Sequence, residues 1–72
     1  MEYTIQTVWD EDAGVWIATS DSIPGLVLES GSLDVLMERV RHAVPELFAL
    51  NNIHQEVISL FFRSERHYKV YA

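Results

Sequence analysis

Residues 56–64 have the composition of a β-strand whose two faces are both apolar. Alternation along such a strand divides its large side chains between the faces: Val57 and Phe61 on one, and Ile58, Leu60 and Phe62 on the other. A strand of this kind usually lies in a sheet that is covered on both sides. Only one amphipathic helix, over residues 33–50, is available to cover the sheet. The pattern therefore predicts a sheet with one uncovered apolar face.

Small size makes such a face significant. A core built from 72 residues, of which 49% are apolar, supplies no more than about 3–5 kcal/mol of stability. Cysteine is absent, so no disulfide adds to it. His42, His54 and His67 do not form a metal-ligand cluster, and neither a metal nor a cofactor is predicted. Contact with a second molecule is the remaining way to bury more apolar surface.

The sequence has the features of a soluble protein. No apolar run approaches the roughly 20 residues that a membrane span needs, and the acidic start at Met1-Glu2-Tyr3 carries no signal-peptide pattern. We therefore expect a single domain over residues 1–72, located in the cytoplasm and without membrane contact.

Charge is distributed unevenly along the chain. The net charge is −6, and residues 1–38 contain no Lys or Arg, whereas all basic residues follow from Arg39 onward. An acidic region repels phosphate backbones and attracts basic partners. The alternative interpretation is that these carboxylates only keep a small domain in solution.

Two strands joined by a polar turn begin the chain. β-branched and aromatic side chains dominate residues 2–9 and 15–21, and the turn between them ends at Gly14. Symmetric closure of this hairpin places Trp9 opposite Val15. The uncovered face then carries an apolar patch of Val8, Trp16, Ala18 and Phe61. A register slip of one residue would exchange the two faces.

The remaining elements complete an α+β order. A short strand over residues 26–29 precedes the helix, which begins after Ser32 as N-cap and stops at Asn51-Asn52. We expect Pro45 to kink this helix without ending it. The helix crosses over the sheet, so the last strand should run parallel to the third strand and pair beside the first. The predicted sheet order is 3-2-1-4, with one helix on one face.

No motif for catalysis is present. The serines lie in turns without a nucleophile elbow, and phosphate-binding glycine motifs are absent. We expect four carboxylates to rim the binding surface: Asp10, Glu11, Asp12 and Asp21. A less favoured hypothesis is a metal-dependent nuclease in which Asp10, Asp21 and Glu38 converge. We predict that the chain is not an enzyme and has no catalytic residues.

Three ordered segments resemble the N-terminal domain of the HicB-like antitoxin family. They comprise Gly14-Val15-Trp16-Ile17-Ala18, then Asp21-Ser22-Ile23-Pro24-Gly25-Leu26, then Ser30-Gly31-Ser32-Leu33 before the helix. The pattern is an aromatic strand, a D-x-x-P-G turn, a short strand and a small polar cap. The resemblance extends over about residues 2–62 and is closest to short, uncharacterised single-domain members.

This resemblance implies a partial ribonuclease-H-like fold of β-β-β-α-β order. It also implies a role in a toxin–antitoxin system, as a protein that binds and masks a small basic RNA-cleaving toxin of the HicA type. Larger family members carry a C-terminal DNA-binding segment. The sequence has none before Ala72, so direct nucleic-acid binding is not expected. The alternative is a homo-oligomer, such as a homodimer, whose sheet face binds only itself.

Overall fold

Four strands and one helix make up the computed structural model, which describes residues 1–72. In chain order they are β1 (Glu2–Asp10), β2 (Val15–Thr19), β3 (Val27–Ser30), α1 (Leu33–Leu50) and β4 (Ser59–Glu65). The strands form one sheet of order β3-β2-β1-β4. β4 pairs parallel to β1, and the other neighbours pair antiparallel. The predicted α+β class and sheet order are therefore confirmed.

The helix begins and ends where its capping residues predicted. The Ser32 hydroxyl accepts a hydrogen bond from the backbone N–H of Val35 at 3.3 Å, and α1 continues through Pro45 to Leu50. Asn52 adopts a φ of 56°, a left-handed conformation that asparagine tolerates better than most residues. α1 does not combine the length and the apolar character that a membrane crossing requires.

One apolar stripe of α1 forms the helix side of the core. It is fully buried and consists of Leu36, Val40, Val44 and Phe48. These side chains face Tyr3 and Ile5 of β1 and Ala18 of β2. The rings of Tyr3 and Phe48 meet edge to face, with centroids 5.0 Å apart.

The loop between β2 and β3 also contributes to the core. Ile23 and Leu26 are both buried, and the Leu26 N–H donates to the Ile23 carbonyl at 3.3 Å. Between them, Pro24 is followed by Gly25 at a φ of 83°, the arrangement expected of a type II turn. The turn therefore holds two apolar anchors under the helix.

The register of the first hairpin differs from the predicted one. Asp10 pairs with Val15 and Trp9 with Trp16, so four residues separate the paired ends instead of five. Gly14, at a φ of 65°, donates its N–H to the Asp10 carbonyl at 2.8 Å. Because side chains alternate between faces, this shift of one residue exchanges the two faces of β2 relative to β1.

The prediction that Trp16 and Ala18 lie on the uncovered face is therefore wrong. Trp16 pairs with Trp9, and Ala18 pairs with Thr7; Ala18 is fully buried beneath α1. Val15 and Ile17 instead share the uncovered side with Val8. The physical cause is the length of the turn, because it determines which residues pair in the hairpin. The pairing in turn determines which side chains of β2 share a face with those of β1.

Candidate functional site

The sheet face opposite α1, called the open face below, carries an apolar centre with acidic ends. Its middle rung crosses all four strands in the order Glu29, Ile17, Val8, Glu65. Two apolar side chains thus lie side by side between two carboxylates. Val8 is 42% exposed, although it occupies a central strand.

Further apolar side chains extend this centre. Val15 lies beside Asp10 on the rung nearer the hairpin. The rung on the other side runs Val27, Thr19, Gln6, Arg63. Beyond it, Phe61 lies opposite Thr4 and is 45% exposed. Val8 and Phe61, both predicted as binding residues, therefore lie on the open face as expected.

The predicted acidic rim does not gather in one place: Asp10 occupies an open-face position of β1, whereas the Glu11 carboxylate contacts Trp9 of the covered face. The Asp10 carboxylate accepts backbone N–H groups from Asp12 at 3.1 Å and Ala13 at 3.2 Å. Glu11 accepts the indole N–H of Trp9 at 2.7 Å. These bonds shape the turn and leave Glu11 and Asp12 exposed. Asp21 follows β2 and therefore lies at the opposite end of the sheet.

Glu29 and Glu65 complete the rim, although they were not among the predicted site residues. Each occupies a strand position whose side chain points away from the helix. The signal for Glu29 was its position next to Leu28 in β3, since neighbours on a strand face opposite sides. Which face Glu29 shares with Ile17 depends in addition on the register of β2 against β3.

Trp16 belongs instead to an aromatic cluster at the hairpin end of the covered face. The rings of Trp9 and Trp16 meet edge to face at 5.6 Å. The guanidinium carbon of Arg66 lies 4.1 Å from the Trp9 ring centroid and 5.9 Å from that of Trp16. Tyr68 contacts the same guanidinium at 4.9 Å. Arg66 thereby connects the segment after β4 to the first hairpin.

A groove of about 540 Å³ separates α1 from β4 on the covered side. It forms because α1 lies over β2 and β3, which leaves the inner face of β4 partly uncovered. The residues that line it are Arg41, Val44, Pro45, Gln55, Glu56, Ile58, Leu60 and Phe62. Leu60 and Phe62 are only half-buried as a result.

The carboxylates named for a metal-dependent nuclease do not meet. Asp10 and Asp21 lie at opposite ends of the sheet, and Glu38 lies on α1. The Glu38 carboxylate contacts Arg41 at 2.7 Å and His42 at 3.4 Å on the exposed helix surface. No group of three or more Asp, Glu or His side chains converges in a way that would hold a metal ion.

Comparison with known proteins places this fold in a family. No curated protein matches the chain. A solved structure, the hypothetical protein TTHA1013 from the extremely thermophilic bacterium Thermus thermophilus, is 33% identical in sequence and superimposes with a TM-score of 0.76. The match covers 100% of both chains. Residues 2–72 match a domain of unknown function, DUF1902, and the chain therefore belongs to the DUF1902 family.

Proposed function

We propose that the chain is a HicB-like protein whose open face binds and masks a small basic RNA-cleaving toxin of the HicA type. The observation that carries the proposal is the middle rung of the open face. It sets exposed Val8 and half-buried Ile17 between Glu29 and Glu65. An apolar centre with a charged rim is the usual anatomy of a protein-binding surface.

The charge of the open face selects the kind of partner. Asp10, Glu29 and Glu65 lie on this face, and exposed Asp12 lies in the turn next to Asp10. Such a surface attracts a basic protein and speeds the encounter with it. A toxin that cleaves RNA must itself be basic where it holds the phosphate backbone. Contact with the open face would therefore compete with RNA for the same basic surface.

Topology and side-chain chemistry both agree with a binding role. One helix on a sheet of order 3-2-1-4 has the β-β-β-α-β sequence of elements that the resemblance to HicB-like antitoxins implies. That resemblance implies a partial ribonuclease-H-like fold without its catalytic carboxylates. The centre of β1, Ile5-Gln6-Thr7, likewise carries no carboxylate.

Co-expression with a small basic protein encoded beside this one is the direct test. We expect the chain to restore growth and to co-purify with that protein. Val8→Lys places a cation at the centre of the open face and should weaken the complex about tenfold or more, because like charges repel and an apolar contact is lost.

Val35→Lys is the matched control, since Val35 is also about half exposed but lies on α1. Circular dichroism would verify that both variants fold. Absence of both rescue and co-purification would reject the proposal. Equal binding by the two variants would move the contact away from the open face.

A further inference from the structure

The outer edge of β4 has no partner strand. β4 pairs with β1 on one side only, and it ends the sheet order β3-β2-β1-β4. Proteins usually protect such an edge, because its free N–H and C=O groups pair readily with another chain. Here the edge continues into residues 66–72, whose apolar side chains are almost fully exposed: Tyr68 at 72% and Val70 at 92%.

These last residues keep the alternation of β4 beyond the point where the strand loses β1. Arg66 stacks on Trp9 at 4.1 Å and on Tyr68 at 4.9 Å. Arg66 and Tyr68 therefore point to the same side of the sheet as Leu60 and Phe62. The segment itself lies outside the strands of the sheet.

We propose that two copies of the chain pair antiparallel along β4 and residues 66–71, with the two-fold axis at Ser64. Opposed residues in an antiparallel pair point to the same face of the sheet. In a symmetric pair, the two-fold axis must therefore pass through a residue that faces its own counterpart. With the axis at Ser64, the residue numbers of any two opposed residues sum to 128. This inference does not depend on the identity of a toxin.

Charge selects Ser64 among the neighbouring axes. With the axis at Ser64, Arg63 of each copy faces Glu65 of the other, which makes two ion pairs on the open face. An axis on Arg63, Glu65 or Arg66 would oppose that residue to itself, and like charges directly opposite are destabilising. An axis on Phe62 would lose both ion pairs.

The same register gives each apolar side chain of residues 68–71 an apolar partner. Leu60 faces Tyr68 of the second copy, and Ile58 faces Val70 of the second copy. Both pairs lie on the covered side, where Ile58 and Leu60 line the groove between α1 and β4. Residues 66–71 of one copy, called the arm, thus lie along the apolar groove of the other copy. On the open side, Val57 faces Tyr71 of the second copy.

The paired molecule would have one continuous sheet of eight strands, twice the four of a single copy. Both helices would lie on one side of it and both open faces on the other. The two Arg63–Glu65 pairs would lie at its centre, between two copies of the Val8 rung. Dimer formation would use the edge of β4 and partner binding the open face, and Glu65 belongs to both. Y68E/V70E leaves the open face unchanged, so this variant separates loss of the dimer from loss of partner binding.

Charge reversal tests the register through the dissociation constant of the dimer, measured by sedimentation equilibrium. Arg63→Glu and Glu65→Arg should each weaken the dimer about tenfold or more, because each turns two attractive pairs into repulsive ones. The double variant R63E/E65R should recover most of the wild-type affinity. Failure of the double variant to recover would overturn the Ser64 register.

A single introduced thiol tests the axis independently, since the chain contains no cysteine. Directly opposed Cα atoms lie about 4.5–5.5 Å apart, within the range that a disulfide bridges. Ser64→Cys should therefore crosslink two copies under mild oxidation. Ser59→Cys is the control, because its two thiols would lie ten positions apart along the ladder, roughly 34 Å.

Disruption of the arm completes the design. Y68E/V70E alters side chains that make no core contact in the single copy, so it should give a folded monomer, whereas Leu50→Glu, at a similarly exposed helix position, should leave the dimer intact. A wild-type protein that is monomeric at all concentrations would overturn the proposal. Equal crosslinking of Ser59→Cys and Ser64→Cys would do the same.

Discussion

Thr7 and Val8 are neighbours on β1, yet they occupy opposite environments. Thr7 is polar and fully buried, whereas Val8 is apolar and 42% exposed. Residue hydropathy alone would assign them the other way round. The difference shows that burial in this sheet depends on which face α1 covers, and that the open face retains apolar side chains without a cover in the single chain.

Hydrogen bonding explains how the covered face accepts a threonine. The Thr7 hydroxyl bonds to the Arg63 carbonyl oxygen at 2.8 Å and to the Ser64 hydroxyl at 2.9 Å. No buried side-chain polar atom in the protein lacks such a partner. Thr7 therefore joins β1 to β4 within the covered face.

The largest expected difference between the faces comes from removing apolar side chains. Ile5→Ala on the covered face should lower the free energy of unfolding by about 3 kcal/mol, because it leaves a cavity in a tightly packed site. Val8→Ala on the open face should lower it by no more than about 0.5 kcal/mol, as for other surface substitutions. Urea denaturation of both variants measures the contrast.

A large loss for Val8→Ala would contradict this picture of the single chain. It would mean that the open face is covered in solution. Repeating the measurement over a range of protein concentrations would then distinguish cover by a second copy from a property of the single chain.

A smaller effect is expected from the buried hydroxyl. Thr7→Val keeps the shape of the side chain and removes its hydrogen bonds to β4, which should cost about 1 kcal/mol of stability. Thr4→Val, on the open face of the same strand, makes a suitable control and should change stability little. Equal losses in the two variants would show that the Thr7 bonds contribute nothing beyond strand propensity.

The smallest expected effect concerns the end of the covered face. Arg66→Ala removes the guanidinium from the Trp9 ring and should cost about 0.5–1 kcal/mol, the usual value for an exposed cation–π contact. Tryptophan fluorescence should change with it, because both indoles lie in this cluster. Arg41→Ala, which removes only an exposed ion pair with Glu38, should leave the fluorescence unchanged.

Much of the fold was predictable because its signals are local. Ser32 and Asn51-Asn52 mark the ends of α1, and the helical stripe from Leu36 to Phe48 identifies its buried side. The crossover from β3 through α1 to a parallel β4 then follows from connection rules that hold for most sheets. Sheet order 3-2-1-4 needed no information beyond these signals.

The composition of the open face was only partly predictable. Val8, Phe61 and Asp10 lie on the open face as assigned, but Trp16 and Ala18 were assigned to the wrong side. Leu26 was predicted to begin the third strand but lies in the loop before β3, and both Leu26 and Ile23 of this loop are core residues. No local pattern distinguishes a loop that packs under a helix from one that does not.

Alternation within each strand is a property of the chain, because successive side chains on a pleated strand point to opposite faces. The residues that share a face within β1 or within β4 could therefore be assigned before folding was considered. The relation of β2 to β1 is different. It depends on whether the turn closes over four residues or five, and the Asp10 carboxylate and the left-handed Gly14 settle that in the folded hairpin. This shift of one residue in register places Trp16 on the face that α1 covers and Ile17 beside Val8 on the open face.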